Sequence, residues 1–218
     1  MLRQIKHDGG NIVAMNTMPD SSWEMDQSQH ERAMRLTRLS MLVECEGSIT
    51  IGMTPPTKTR PRPALCPVID VTNTAQAIID EAKETLIEEC IGFSVKPERK
   101  SAGEGRKNRF DINIHGFDRV EAALLVMLPY LRSKKPQAEL LLEFIKSRRS
   151  SGSKSVYSDR EWQITTEVRR MNGRQPNRKA LAKAKAALEA ANGPNRPRTI
   201  EYFRKYVEMC TELQGYLQ

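Results

Sequence analysis

Leu39 to Gly47 reads LSMLVECEG, and Ser48 to Thr54 reads SITIGMT. The first run places Leu39, Leu42 and Val43 at helical spacing, continued upstream by Leu36. The second alternates, with Ile49, Ile51 and Met53 on one side and Ser48, Thr50, Gly52 and Thr54 on the other, which is the period of a half-buried strand. A helix therefore passes into a strand across one carboxylate–glycine pair, Glu46–Gly47. That fixes Glu46 at a helix C-terminus, where the helix dipole is itself negative. Such a carboxylate gains from a neighbouring cation, and a divalent metal held by oxygen ligands is one such cation.

Outward from this junction the elements follow in order. PPTKTRPRP is a basic loop, and Ala64 to Thr72 a second strand in which Pro67 points to an edge or a bulge. A helix starts near Thr74, with Ile79, Ala82, Leu86 and Cys90 as its buried stripe and Gly92 as C-cap. Phe93 to Glu98 is a third strand. The basic loop KPERKSAGEGRKN leads to a fourth, where Phe110, Ile112 and Ile114 alternate with Arg109, Asp111 and Asn113. Asp118 and Glu121 form a capping-box pattern for a helix ending near Pro129. Pro136 opens another, with Leu140, Leu141, Phe144 and Ile145 buried. The order α-β-β-α-β-β-α-α predicts an α+β fold: two hairpins in one antiparallel sheet, with helices on one face. The other face is polar and open, a shape suited to a DNA groove.

LSMLVECEG resembles the LAGLIDADG motif of the homing endonucleases, position for position. VTNTAQ (Val71 to Gln76) falls where that family turns from strand to helix, and LPYLRSKKPQAELLLEFIKSRR (Leu128 to Arg149) is similar to its Pro-aromatic-Leu…Lys…Gln-Ala segment. The resemblance covers about Arg35 to Asn172. It implies the family's αββαββα domain with a four-stranded DNA-binding sheet, here followed by a helical extension. The organisation expected is a loose arm over 1–29, an endonuclease core over 30–150 and a basic helical extension over 151–218. In the extension, Ser158 and Glu161 make a capping box, residues 178–191 read as an Ala/Lys helix, and Thr199 caps a last helix with Ile200, Phe203, Val207, Cys210 and Leu217 in one stripe.

The formal net charge of +8 over 218 residues suits a polyanionic partner. Lys146 to Lys185 holds twelve Lys and Arg against three acids. Cys45, Cys66, Cys90 and Cys210 show no C-x-x-C spacing, so neither a zinc site nor a disulfide framework is expected, and the thiols read as reduced core fillers of an intracellular protein. No signal-peptide or membrane-span pattern occurs, and the expected location is with DNA, in cytoplasm, nucleoid or organelle.

The resemblance assigns roles. Glu46 stands at the family's metal-binding acid, with Mg²⁺ (or Mn²⁺) as the implied ion. Mg²⁺ takes few protein ligands and uses substrate phosphates for the rest. Lys134 matches the family's lysine that stabilises charge or perturbs water near the cut, with Lys135 as the alternative. Asn73 stands where a polar residue orients water, and reads equally well as a helix N-cap. Glu44 reads as structural. For DNA contact, the sheet's polar face offers Thr50, Thr54, Asp70, Lys96, Arg109, Asp111 and Asn113, whose types can pair with base edges. Lys58, Arg60, Arg62, Arg99 and Arg106, with Lys100 and Lys107, would grip phosphates.

One motif supplies one metal site, whereas cutting both strands needs two. The resemblance therefore implies a homodimer, motif helix against motif helix, on a long pseudo-palindromic site. Met41 stands where the family has a small residue, and Ser40 keeps one small position. The alternative is a non-cleaving nucleic-acid binder of the same fold, such as an intron-splicing maturase or a regulator.

Overall fold

The computed structural model describes residues 22–54, 64–99, 108–152, 156–173, 181, 182, 184–186, 188 and 197–215. The chain divides into two units, Met1–Met34 and Arg35–Gln218. In the first, the described residues are helical, the beginning of α1 (Ser22–Glu46).

The second unit holds β1 (Gly47–Thr54), β2 (Ala64–Asn73), α2 (Gln76–Glu88), β3 (Ser94–Arg99), β4 (Arg109–His115), α3 (Phe117–Met127), a single 3-10 turn at Leu128–Tyr130, α4 (Lys135–Ser151), α5 (Asp159–Met171) and α6 (Pro197–Gly215). The fold is α+β, with the αββαββα order expected. The sheet runs β1-β2-β4-β3 and every neighbouring pair is antiparallel. Ile49 and Ile51, then Leu65, Ile69 and Val71, then Ile112 and Ile114 bury one face against Leu39 and Val43 of α1, Ile79 and Leu86 of α2, Leu124 and Met127 of α3, and Leu141 and Phe144 of α4. Each such side chain contributes about 1.5–3 kcal/mol by leaving water. Trp162, Ile164 and Val168 of α5, with Tyr206, Met209, Cys210 and Leu213 of α6, belong to the same apolar cluster. The change of composition after Ser150 is a change of charge across a continuous core.

Several local expectations are corrected. β2 is an inner strand. Its Pro67 is tolerated because β4 pairs with β2 only from Val68 to Asn73, so the missing N–H lies past the end of that ladder. Cys90 is exposed and has φ +56°. It ends α2 in a Schellman arrangement: its N–H donates to the Ile87 carbonyl (2.9 Å), and that of Ile91 to the Leu86 carbonyl (2.8 Å). Gly92 is not the cap; a Cβ there would meet the Arg119 guanidinium at 2.9 Å. Asp118 and Glu121 form no capping box, since Gly116 precedes α3 without a side-chain cap. Both acids instead bind Arg149 of α4, at 2.7 and 2.5 Å. The capping box of Ser158 and Glu161 is present in full. Of the four cysteines only Cys210 is buried, so core filling does not explain the others. Among the described side chains of α6, Tyr206, Met209, Cys210 and Leu213 are buried, with Phe203 and Val207 half-buried beside them, while the side chain of Ile200 and all of Leu217 lie outside what is described.

A left-handed L residue at the end of α2 is the one conformational debt here that a single substitution removes. Cys90→Gly is expected to stabilise the protein by about 0.5–1 kcal/mol, less than the full left-handed penalty because glycine also loosens the unfolded chain. Thermal unfolding would register this as a rise of about 1–4 °C.

Candidate active site and nucleic-acid interface

The junction of α1 and β1 is built by backbone proximity. A Cβ on Gly47 would lie 2.8 Å from the Val43 carbonyl oxygen, 2.9 Å from the Val43 Cα and 3.1 Å from the Asp70 carbonyl oxygen. All three are main-chain atoms that no rotamer change can move. Only glycine lets the helix end pass directly into the sheet, and the preceding residue, Glu46, is left exposed at the last position of α1.

The cation that this helix end invites is supplied from within the chain. Lys134 Nζ donates to the carbonyls of Val43 (2.8 Å), Glu44 (2.6 Å) and Gly47 (2.8 Å). These carbonyls lie where a helix leaves its acceptors unpaired and its dipole negative. In return the Glu44 carboxylate accepts the main-chain N–H groups of Arg132 (2.7 Å), Ser133 (3.1 Å) and Lys134 (3.0 Å), and the Ser133 hydroxyl. The two segments cap each other. Burial pushes the Lys134 ammonium below its usual 10.5, against the pull of Glu44, Cys45 and Glu46. Burial also acts to raise the Glu44 pKa, but the Ser133 hydroxyl and the three amides outweigh it and hold the carboxyl below its usual 4.5. The structural role expected for Glu44 is therefore explicit. The dipole argument for a metal at Glu46 is correspondingly weaker, because Lys134 already meets the helix's need for positive charge.

Among the described residues no group of three or more His, Cys, Asp or Glu could hold a metal ion. A single exposed carboxylate fits Mg²⁺ only where phosphate and water oxygens complete the shell, which is the donor set that ion prefers. Asn73 is committed locally: its Oδ1 accepts the Ala75 N–H at 2.8 Å, a turn interaction at the start of α2.

The face of the sheet away from the core carries a connected polar network. Asp70 and Asn113 are register partners, and Asn113 Nδ2 donates to Asp70 Oδ1. Lys96 Nζ lies 3.8 Å from the same oxygen. Asn113 Oδ1 meets His115 Nδ1 at 2.9 Å, and the Thr72 hydroxyl donates to Asp111 Oδ1 at 2.7 Å. Asp70, Lys96, Asp111 and Asn113 are thus brought together as predicted. Arg109 and Thr54 are exposed near the ends of their strands. Thr50 is a correction: it is 0% exposed and its hydroxyl has no partner among the described residues, so it cannot touch a ligand laid on this face. Asp111 is 8% exposed and offers only its rim. Lys58, Arg60, Arg62 and Arg106, with Lys100 and Lys107, lie outside the described residues, as does the side chain of Arg99.

Sequence reasoning missed His115 and Thr72. The signal was available, because both fall in the polar phase of their strands, two residues from Asn113 and Asp70. The basic window from Lys146 is also less free than its charge suggests. Arg148 pairs with Glu161, Arg149 with Asp118 and Glu121, and Arg160 with Glu143.

No family model matches the chain, and no curated protein does. Solved structures similar to it include the homing endonuclease I-CvuI in complex with the I-CreI target in the presence of Mg, its DNA not cleaved, at 17% identity, covering 84% of this chain and 97% of that one with a TM-score of 0.47. The archaeal intron-encoded homing endonuclease I-Vdi141I complexed with DNA is similar at 12% identity, covering 86% and 99%, TM-score 0.43. The LAGLIDADG homing endonuclease I-SmaMI bound to cleaved DNA is similar at 13% identity, covering 79% of this chain and 56% of that one, TM-score 0.49.

The mutual cap has a pH signature. The depressed Glu44 pKa stabilises the fold fully above about the ordinary 4.5, and that stabilisation is lost as pH falls through the folded-state value. Glu44→Gln is expected to cost about 1–2 kcal/mol at neutral pH, the worth of charge-assisted bonds at a partly solvated site. In urea melts the gap between native protein and variant should narrow progressively below pH 4.5.

Proposed function

We propose that the protein is a site-specific double-stranded DNA endonuclease of the homing type, acting as a homodimer on a long pseudo-palindromic site with Mg²⁺ or Mn²⁺. The observation that carries the reading is the position of Glu46: an exposed carboxylate held at a helix end that Gly47 alone can form, one residue from a strand whose sheet presents a polar face. The LAGLIDADG-like sequence at that junction supports the same assignment. A bound divalent ion supplies charge neutralisation at the scissile phosphate and a more acidic water. Glu46 would hold it together with phosphate oxygens. Lys134, fixed 2.6–2.8 Å from three carbonyls beside Glu46, adds positive potential where phosphate charge must be accommodated. Lys96, Asp70, Asn113, His115 and Arg109 would meet base edges. The protein would act inside the cell, where its DNA lies.

The exposed side of α1 supports the homodimer. Met41 is 59% exposed and Cys45 is exposed one turn further on. Ser40, expected to be the small contact position, is fully buried and its hydroxyl faces the Met127 carbonyl at 3.5 Å. A partner helix would therefore pack on Met41, which is flexible enough to fill such a seam.

A second reading has an observation of its own. The Lys134 ammonium is committed to three carbonyls, as a purely structural lysine would be, which suits a non-cleaving nucleic-acid binder. Glu46 decides between the two. Glu46→Gln should reduce Mg²⁺-dependent cleavage of a plasmid carrying the uninterrupted gene locus by at least about a thousandfold, corresponding to several kcal/mol of metal-ion catalysis, while leaving DNA binding intact. Cutting at the native rate by Glu46→Gln would overturn the catalytic assignment. Absence of cutting by the native protein, with binding retained, would favour the binder. Met41→Lys should convert dimer to monomer in sedimentation equilibrium; a native protein that sediments as a monomer at the same concentration rules the homodimer out.

A further inference from the structure

The β1–β2 ribbon is gripped by a segment that the sequence reading set apart as an extension. On its outer side, Asn172 Nδ2 donates to the Ile49 carbonyl (2.8 Å) and Arg169 Nη1 to the Ile51 carbonyl (3.4 Å). Those carbonyls therefore point off the free edge of β1. Antiparallel alternation then turns the N–H side of Ile69, Pro67 and Leu65 the other way, toward β4. β4 reaches only as far as Val68. Beyond it Pro67 has no N–H to offer, and the next inward-facing donor, on the buried Leu65, would be orphaned. It is not: the Leu65 N–H donates to the hydroxyl of Tyr157 at 2.9 Å.

Tyr157 is itself held on three sides. The Arg148 guanidinium lies 4.5 Å from its ring centroid, and Trp162 packs edge-on at 5.9 Å. Glu161, 0% exposed, fixes this arrangement. It lies 3.5 Å from Arg148 Nη1 and accepts from the Ser147 hydroxyl (3.0 Å) and the Ser158 N–H (2.7 Å). A buried charge with every partner in place is rigid, because any displacement leaves it uncompensated.

We propose that Tyr157 is a positioning residue for nucleic-acid recognition. It occupies the place in the β2 ladder that β4 leaves empty, and so holds the outer half of the ribbon in line with the rest of the sheet. This rests on the DNA-binding reading above. The outer half presents Thr54 and Cys66 on the ligand-facing phase, a hydroxyl and a less polar side chain of the kind that discriminates thymine methyl groups. Without the Tyr157 hydroxyl these residues remain but lose their fixed depth against a groove. The α5 region thereby takes part in recognition without touching DNA.

The test uses the full chain and the Tyr157→Phe variant, which keeps the ring between Arg148 and Trp162. In the DNA-free protein, amide exchange at Leu65 should quicken by about tenfold or more, with the β2–β4 amides unchanged. Both proteins are then used to select binding sites from a randomised duplex library. The expected result is relaxed base preference at the outer positions of each half-site, with inner preferences kept. A merely structural role would instead weaken all positions evenly, and that outcome overturns the proposal, as does an unchanged Leu65 exchange rate. A native protein that enriches no sequence overturns the DNA reading itself. One that enriches a site which Tyr157→Phe reproduces unaltered overturns the positioning role alone.

Discussion

The structure depends on the exchange between the end of α1 and the turn before α4. One segment offers unpaired carbonyls, the other unpaired amides, and each sends a charged side chain to the other. Lys134 closes the helix end, and Glu44 closes the turn. Segments almost ninety residues apart in sequence are thereby locked at the point where helix passes into sheet. Because charge-assisted bonds shorten and strengthen in partly dry surroundings, the lock is stiff where an exposed ion pair would be worth little. The core beneath it is ordinary aliphatic packing. The lock decides how the core's edge is presented.

Most of the architecture was legible. Seven alternating residues after Gly47 and the periodicities of α2, α3 and α4 define the element order, and order with hairpin connectivity determines the sheet. What was not legible depended on distant partners. Asp118 and Glu121 have capping-box spacing, yet carboxylates at that spacing also reach an arginine on another helix, and Arg149 is there to take both. Cys90 continued an apolar stripe in the sequence, but the chain had to turn, and a left-handed cysteine was accepted so that Ile91 could be buried against the core.

The site was partly legible for the same reason. Asp70, Lys96 and Asn113 share a phase of alternation, and phase alone predicts a shared face. Thr50 has that phase too and is nevertheless sealed at 0% exposure. Strand alternation says which side a residue faces, not what covers that side. Glu44 and Glu46 are two residues apart in one motif, chemically alike, and have opposite fates: one is consumed by amides, the other is left exposed.

That last contrast bears on how such a protein can change over generations. Glu46 makes no hydrogen bond or ion pair among the described residues, so its loss would cost the fold almost nothing, whereas loss of its neighbour Glu44 would be felt as instability. Selection for a folded protein therefore guards one acid and ignores the other. On the endonuclease reading proposed above, a lineage released from the need to cut could drift at Glu46 while keeping its scaffold and its sheet, and the passage from scissors to clamp would need a single neutral step.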